Sequence, residues 1–238
     1  MAARGKNYNT AAAKVERRPH GFEEAMARLK EANFAKFDET VEISLLLGVD
    51  PRHADQMVRG TVVLPHGTGK TLRVLAIAGS DKVQESKDAG ADLAWTGPEA
   101  AEKITAGQLD FDAIVATPDV MRDLGKLGKI LGPRGLMPNP KTGTVTMDIG
   151  RAIKEIKSGK VEFRVNKTAI IHGILGRKSF SAAQLLENFT IFVTAVQRAR
   201  PASAKGRYIR SCHISTTMSP SIEIDLNEID KLSQAERA

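Results

Sequence analysis

A change of hydrophobic pattern along this 238-residue chain constrains its fold more than any other feature. Strand-like alternation in residues 40–64 gives way to continuous apolar runs such as Val74–Ala78, which alternate with helical stretches, and the strand-like alternation returns from Lys160. Alternation of apolar and polar residues indicates half-buried strands, whereas strands that alternate with helices indicate a layered α/β unit. The length suits one large domain or two small ones.

Breaks in that pattern set the predicted domain boundaries. We predict α/β and α+β structure in two domains. The first is a discontinuous α+β domain built from both chain ends, residues 1–67 and 160–238, and the second is an inserted layered α/β domain, residues 68–159. Hinges are expected near 65–69, where proline and glycine interrupt a strand, and near 158–160, where a glycine ends a helix.

Periodicity and capping signals place the main elements. Apolar residues at helical spacing begin at Phe22, and a second such stripe follows the capping-box pair Ser181 and Gln184. Thr117 is predicted as a helix N-cap. Strands are predicted at 40–45, 60–64, 74–78, 93–95, 113–116, 161–165, 169–171, 207–215 and 221–224.

The segment Ile130–Lys141 contains three prolines and two glycines together with Arg134 and Lys141, and Gly143 follows it. Proline fixes φ and glycine permits positive φ, so the segment suits neither a helix nor a central strand. We predict an ordered, sharply bent loop. Because its charge is positive, its partner is expected to be anionic.

The charge of the chain narrows the class of partner. Thirty-five Lys and Arg against 28 Asp and Glu give a net charge of +7. Residues 1–18 carry five basic residues against one acid, and residues 196–210 carry five against none. Such clusters are typical of nucleic-acid binding, although each also suits a solvated face. Residues 1–20 are expected to form a flexible or partner-ordered basic arm, and residues 226–238 a tail.

Catalytic and metal-binding patterns are weak. Residues Gly67–Thr71 resemble half of a phosphate-binding loop, but Leu64 stands where that motif needs a glycine. The five histidines are not spaced as metal ligands are. Asp38 and Glu39 are predicted to lie in a solvated turn. Cys212 is predicted to be a half-buried structural thiol. We therefore expect no enzyme, cofactor or metal site, with a nucleotide-binding enzyme as the alternative.

Targeting signals are also weak. One cysteine allows no intramolecular disulfide, and no run of about 18 apolar residues occurs. We expect a protein of the reduced cytoplasm that neither is secreted nor spans a membrane.

Residues suited to RNA lie near predicted strand ends. Phe37 follows Lys36 at the start of a strand, where its ring can pack on a base, although a core position is the alternative. The hydroxyl-rich run Ser215–Ser219, which includes Met218, suits contacts to phosphate and the ribose 2′-OH, or an ordinary polar turn. Lys167–Thr168 follows a predicted strand in the same way.

Several long motifs together resemble the bacterial L-one family of large-subunit ribosomal proteins, from about Tyr8 to Ile224. They are Ile130–Thr144, Phe37–Val41, Asp50–Gly67, Phe111–Asp119 and Thr216–Met218. The resemblance implies two domains joined by two connections. It also implies binding to the mobile rRNA stalk near the tRNA exit site, release of deacylated tRNA, repression of its own messenger, and association with other large-subunit components.

The resemblance also implies which residues bind RNA. The family's principal RNA surface maps to Lys36, Phe37, Thr40, Lys167, Thr168, Ser211, Thr217 and Met218, and Ser219 follows where the family usually has glycine. Ala169 likewise replaces a common glycine. Arg134 and Lys141 of the inserted domain are expected to make a secondary contact with rRNA or passing tRNA. A protein-binding adaptor that uses its basic patches is a third interpretation.

Overall fold

The computed structural model describes the backbone of residues 5–235 and the side chains of residues 5–231. Its fold is mixed α/β with several sheets. The described residues divide into two compact units. The first unit comprises those within 1–69 and 161–238, and the second comprises residues 70–160.

The elements are numbered in chain order. The strands are β1 Thr40–Leu47, β2 Arg59–Val63, β3 Val74–Ile77, β4 Leu93–Trp95, β5 Ala113–Ala116, β6 Lys160–Arg164, β7 Ile170–Arg177, β8 Ile209–Thr216 and β9 Ile222–Glu223. The helices are α1 Lys6–Ala13, α2 Phe22–Ala32, α3 Val83–Asp88, α4 Gly97–Thr105, α5 Met121–Lys126, α6 Gly128–Leu131, α7 Ile149–Lys157, α8 Ala182–Arg198 and α9 Leu226–Ala235. The predicted strands are confirmed, and β7 extends to Arg177.

A four-stranded sheet in the order β7-β1-β8-β9 forms the centre of the first unit. Strand β1 is antiparallel to both of its neighbours, and its alternate residues are buried, as the sequence pattern predicted. Helices α2 and α8 supply residues to the same core, including Phe22 and Phe189, whose rings lie 4.7 Å apart. One face of the sheet is therefore covered by helices.

Helix α8 begins as its sequence predicted. The Ser181 hydroxyl accepts the Gln184 N–H at 3.2 Å, and the Gln184 side chain accepts the Ser181 N–H at 3.0 Å. The helix then packs tightly on β7. A Cβ on Gly173 would lie 2.3 Å from a Phe192 ring carbon, so the close approach of helix to sheet requires glycine there.

The second unit is a layered α/β unit. Its parallel sheet has the order β4-β3-β5. Residues of α4, α5 and α6 form a core with one set of strand residues, and residues of α7 form a second core with the alternate set. Gly159 ends α7 at φ 97°, which confirms the predicted glycine cap.

Two carboxylates fasten β3 in the second unit. Asp92 accepts the Val74 N–H at 2.9 Å and pairs with Lys157 at 3.0 Å, and Asp112 accepts the Arg73 N–H at 3.1 Å. These backbone hydrogen bonds hold the pKa of both carboxyls below the ordinary 3.8, and the nearby cations Lys157 and Arg73 lower it further.

We predict that acid destabilises the second unit. Because the folded pKa values of Asp92 and Asp112 are depressed, their stabilisation is complete above the ordinary value of 3.8 and is lost as pH falls through the lowered values. Urea unfolding followed by the fluorescence of buried Trp95 measures this. In Asp92→Asn the free energy of unfolding should depend less steeply on pH. A decline as steep as in the wild type would contradict the role of Asp92.

Both chain ends differ from the predictions. Residues 1–4 lie outside the described part, but Lys6–Ala13 is helical. The backbone of His20 bonds to Glu223 and Asp225, at 2.9 Å each. The segment from Lys6 is thus folded, not a free arm. In the tail, α9 buries Ile229, and residues 236–238 lie outside the described part.

Three single-residue predictions were wrong in detail. Thr117 precedes a 3₁₀ turn, Pro118–Val120, and its hydroxyl makes no capping bond. Glu39 is not in a solvated turn: its carboxylate is fully buried, without a hydrogen-bond partner among the described residues. Cys212 is completely rather than half buried, and burial raises the pKa of its thiol, as suits a structural residue.

Candidate nucleic-acid interface

The face of the four-stranded sheet opposite the helices carries polar and partly exposed side chains. We call this the sheet face; it comprises Thr40, Glu42, Ser44, His172, Ile174, Ser211, His213 and Ser215. The register places Ser44 between His172 and His213, and Glu42 between Ile174 and Ser215. The Ser44 Oγ and His172 Nδ1 lie 3.1 Å apart. Hydroxyl and imidazole groups thus line a surface with no helix over it.

Two exposed apolar side chains stand at one end of the sheet face. Phe37 is 54% exposed and Met218 is 48% exposed. Phe37 precedes β1 and Met218 follows β8, and the pairing of Val41 with Thr216 brings these strand ends together. The core alternative for Phe37 is therefore excluded. Both side chains are therefore available to contact a partner at this end of the sheet face.

Hydrogen bonds fix the segment that presents Phe37. The Asp38 carboxylate accepts the Ser179 N–H at 3.0 Å and the Ser179 hydroxyl at 2.9 Å. The Arg177 guanidinium donates to the Asp38 carbonyl at 3.1 Å and to the Thr40 hydroxyl at 3.2 Å. The backbone next to Phe37 is thus fixed before any ligand arrives, which lowers the entropic cost of binding.

The turn after β8 explains how this chain accommodates Ser219. The Ser219 hydroxyl accepts the Thr216 N–H at 2.9 Å and donates to the Pro220 carbonyl at 3.2 Å, and the residue is 9% exposed. Thr217 and Met218, between these bonded residues, are exposed. Within the predicted set, Ser219 therefore presents no side chain to the surface and instead shapes the turn.

Lys167, Thr168 and Ser211 lie at the opposite end of the sheet. Leu46, near the end of β1, pairs with both Ile170 and Ser211. From Thr40 to Leu46 there are six residue steps of extended strand, a distance of about 20 Å. The predicted residues thus form two groups joined by the sheet face. A ligand that contacts both groups must extend along the strands.

Asn166 builds the turn that carries Lys167 and Thr168. Its side-chain oxygen accepts the Thr168 N–H at 2.9 Å, the Thr168 hydroxyl at 2.7 Å and the Ile170 N–H at 2.9 Å. Ala169 completes the turn at φ 61°, the only positive φ at a non-glycine residue within residues 5–235. Left-handed backbone favours glycine, since a Cβ there crowds the carbonyl.

We predict that Ala169→Gly stabilises the protein. Relief of the left-handed strain should raise the free energy of unfolding by about 1 kcal/mol, net of the entropy that glycine adds to the unfolded chain. Urea unfolding followed by circular dichroism measures the change. Ala183→Gly, in ordinary helical backbone of α8, is the matched control and should destabilise instead. Equal losses in both variants would contradict the role of strain at Ala169.

Sequence reasoning missed several residues of this surface. Ser44, His172 and His213 follow from strand alternation once the register is known. Arg210 lies in a bulge: Leu46 pairs with Ser211 and Leu47 with Ile209, so Arg210 has no partner across the strand and is exposed. The basic stretch at 196–210 was the available signal for Arg210.

Arg134 and Lys141 belong to the second unit. The Asn139 side chain accepts the Lys141 N–H at 2.9 Å, a 3₁₀ turn spans Pro140–Thr142, and Gly143 has φ 68°. These features confirm a sharp bend at residues 139–143, but Ile130 and Leu131, which the prediction placed in the loop, belong to helix α6. Both basic side chains are exposed, and within the described chain neither forms an ion pair.

The features that suggested an enzyme do not assemble. Residues Gly67–Thr71 lead into strand β3 rather than into a helix, so no helix N-terminus is available for phosphates. Over the described residues, no group of three or more His, Cys, Asp or Glu side chains is placed to hold a metal. No described helix has the length and apolarity needed to cross a bilayer.

Comparison with known proteins identifies relatives over most of the length. The sequence pattern of the ribosomal protein L1p/L10e family matches residues 29–220. The large ribosomal subunit protein uL1 of Solibacter usitatus is 56% identical over 222 residues, which cover 93% of each chain. The large ribosomal subunit protein uL1 of Gemmatimonas aurantiaca is 54% identical over 226 residues, which cover 94% of this chain and 98% of that protein.

Proposed function

This chain belongs to the ribosomal protein L1p/L10e family, and we propose that it is a cytoplasmic constituent of the large ribosomal subunit that binds the mobile rRNA stalk near the tRNA exit site. The family is structural rather than enzymatic. The observation that carries the proposal is the sheet face, bordered by exposed Phe37 and Met218 at one end and by Lys167 and Thr168 at the other.

Each group of residues has a chemical role in this binding. Lys36 and Lys167 are exposed and neutralise phosphates, which supplies affinity. Thr40, Thr168, Ser211 and Thr217 offer hydroxyls to phosphate oxygens and ribose 2′-OH groups. Phe37 and Met218 pack on a base or ribose at one end of the face. Ser219 contributes by holding the turn that presents Thr217 and Met218.

The length of the surface favours a folded RNA. Contacts about 20 Å apart exceed the reach of one nucleotide, whereas the wide, shallow minor groove of an RNA helix offers 2′-OH groups over such a distance. Hydroxyl donors on a rigid sheet suit recognition of that shape. The same surface would bind a similar structure in the protein's own messenger and thereby repress its translation.

The second unit has a different role in this proposal. The two compact units act as domains, with hinges near 65–69 and 158–160, and the inserted domain moves with the stalk while deacylated tRNA is released. Arg134 and Lys141 supply a secondary contact to rRNA or to exit-site tRNA. Loss of either should cost less affinity than loss of Thr217, because both lie in the second unit, outside the principal RNA surface.

A salt titration tests the electrostatic part. The logarithm of affinity for a stalk RNA fragment should fall linearly with the logarithm of salt concentration, by about 0.9 per phosphate neutralised. Lys167→Ala should reduce that slope by about one contact. Salt-independent binding of the stalk fragment would contradict the proposal.

A further inference from the structure

A cleft of about 530 Å³ opens within the first unit, between strand β2 and helix α8. Residues 60–63 of β2 form one side, and Phe163 lies at the base. Residues of α8 spaced three and four apart, which share one helix face, form the other side: Ile191, Thr194, Ala195, Arg198 and Ala199. Because α8 covers the opposite side of the four-stranded sheet, the cleft is separate from the sheet face.

The cleft runs along the main-chain edge of β2. Successive side chains of a strand point to opposite faces, and here Val62 is buried in the core whereas Val63 is 41% exposed. Both residues nevertheless line the cleft, together with the two residues before them. A cleft that meets four consecutive residues of a strand borders the strand's edge, where its N–H and C=O groups lie.

That edge of β2 has no partner strand. Strand β2 pairs with β6 in a two-stranded sheet, and within residues 5–235 no other strand is hydrogen-bonded to it. The outer edge of such a strand presents a row of N–H and C=O groups that can pair with a further strand. The cleft thus leaves room beside a row of main-chain donors and acceptors.

The base of the cleft suits a further strand. Ala195 and Ala199 have small side chains that are only partly buried against the core, so they leave space above the helix. A Cβ on Gly60 would lie 2.7 Å from the Cζ of Phe163, so this ring fills the space beneath β2. A strand added to β2 would place alternate side chains on this apolar base and extend the two-stranded sheet over α8.

Two arginines mark one end of the cleft. The His66 N–H donates to the Asn188 side chain at 3.2 Å, so the chain that leaves β2 approaches the first half of α8. Arg59, which begins β2, therefore lies toward the last turn of α8, which carries Arg198. Both arginines are exposed, and neither forms an ion pair within the described residues. The described residues that line the cleft include no acid, so this end favours an acidic group.

We propose that the cleft binds an extended peptide segment of another protein, which adds a strand to β2. Main-chain hydrogen bonds to the edge of β2 supply affinity, and alternate apolar side chains of the peptide rest on Ile191 and Ala195. An acidic side chain at one end of the peptide pairs with Arg59 and Arg198. Strand addition to an open sheet edge is a recurring mode of peptide recognition. The site goes beyond the proposed RNA binding and does not depend on it.

Two other occupants fit the cleft less well. A nucleic acid has no regular row of amide donors and carbonyl acceptors to match the edge of a strand. A second copy of this chain would pair one edge of β2 with another, but it would bring together two molecules that each carry a net charge of +7. An acidic peptide satisfies both the main-chain edge and the arginines.

Amide hydrogen exchange followed by NMR tests the site with the peptide Glu-Val-Thr-Val-Glu, whose termini are blocked. In the free protein, alternate amides of residues 60–63 should exchange fast, because they point away from β6. Peptide at about ten times its Kd should slow exchange of the same amides about ten-fold. Peptides N-methylated at alternate residues test the pairing: methylation of one set should abolish binding, and methylation of the other set should leave it intact.

Variants of α8 test the side-chain contacts by fluorescence anisotropy. Arg198→Glu should weaken binding of the peptide about five-fold, and it should strengthen binding of the same peptide with lysines in place of the glutamates. Ala195→Tyr should weaken binding more than ten-fold, since the ring occupies the base of the cleft. Ala183→Tyr is the matched control, because Ala183 is exposed on the same helix outside the cleft, and it should keep wild-type affinity.

Four results would overturn the proposal. They are a lack of protection by the peptide, equal binding of both N-methylated peptides, slow exchange of every amide in residues 60–63 of the free protein, and protection by a five-nucleotide single-stranded RNA alone. Protection that rises with the concentration of the protein itself would assign the edge to a second copy and would likewise refute it. The N-methylated peptides are tested on the wild-type chain, so their result does not depend on the folding of any variant.

Discussion

Phe37→Ala weakens binding to stalk RNA by about 1–3 kcal/mol, or roughly 5- to 150-fold in Kd. The Phe37 ring is half exposed, and the backbone next to it is held by the bonds of Asp38 to Ser179 and of Arg177 to Asp38. Its removal therefore costs stacking without disturbing the core. Thr217→Ala should weaken binding by a similar amount, because removal of the hydroxyl leaves a buried RNA group without its hydrogen-bond partner. Isothermal titration calorimetry at fixed salt measures both.

Met147→Ala is the control for these variants. Met147 is a large apolar residue with 58% exposure, but it lies in the second unit, outside the predicted contacts. Its replacement should leave the Kd for stalk RNA unchanged. Wild-type affinity in both Phe37→Ala and Thr217→Ala would place the RNA surface elsewhere, whereas a comparable loss in Met147→Ala would show that the effect is not specific to the surface.

Phe192→Ala lowers the free energy of unfolding by about 3–5 kcal/mol, the largest stability effect we expect. Phe192 is fully buried, packs on Phe163 at 5.7 Å, and fills the space that Gly173 leaves open on β7. Truncation leaves a cavity between α8 and the sheet that the surrounding backbone cannot close. Urea unfolding followed by circular dichroism measures the loss.

Leu186→Ala on the same helix provides the comparison. Leu186 is only partly buried against the core, so its truncation should cost clearly less than that of Phe192. If the two variants lose the same stability, the packing of α8 on Gly173 is not the main source of the effect. Phe192→Ala should still bind stalk RNA under conditions where it is folded, because the sheet face is on the opposite side.

Sequence periodicity predicted most of the fold because it reports which face of each element is buried. The alternation in β1 and the apolar stripe of α8 both match the structure. Helix α1 was missed because its short, polar sequence buries only Ala11. Thr117 was assigned from local capping preference, but a 3₁₀ turn follows it and its hydroxyl makes no capping bond.

Register was the information that the sequence lacked for the site. Alternation assigns Thr40 and Ser211 to strand faces, but only the pairing of β1 with β7 and β8 shows that Lys167 and Phe37 lie at opposite ends. The bulge at Arg210 and the inward turn of Ser219 likewise depend on residues distant in the chain or on the turn geometry. Residue types therefore indicated which side chains suit RNA contacts, but not where those side chains lie relative to one another.

Nuclease protection in reconstituted large ribosomal subunits tests the central claim most directly. Subunits assembled without this protein are supplied with the wild-type chain or with Phe37→Ala, and cleavage of the rRNA is mapped after sedimentation. We predict that the wild-type chain co-sediments with the subunit and protects stalk nucleotides, and that protection weakens in Phe37→Ala. Co-sedimentation with the stalk as accessible as in subunits that lack the protein would contradict the claim.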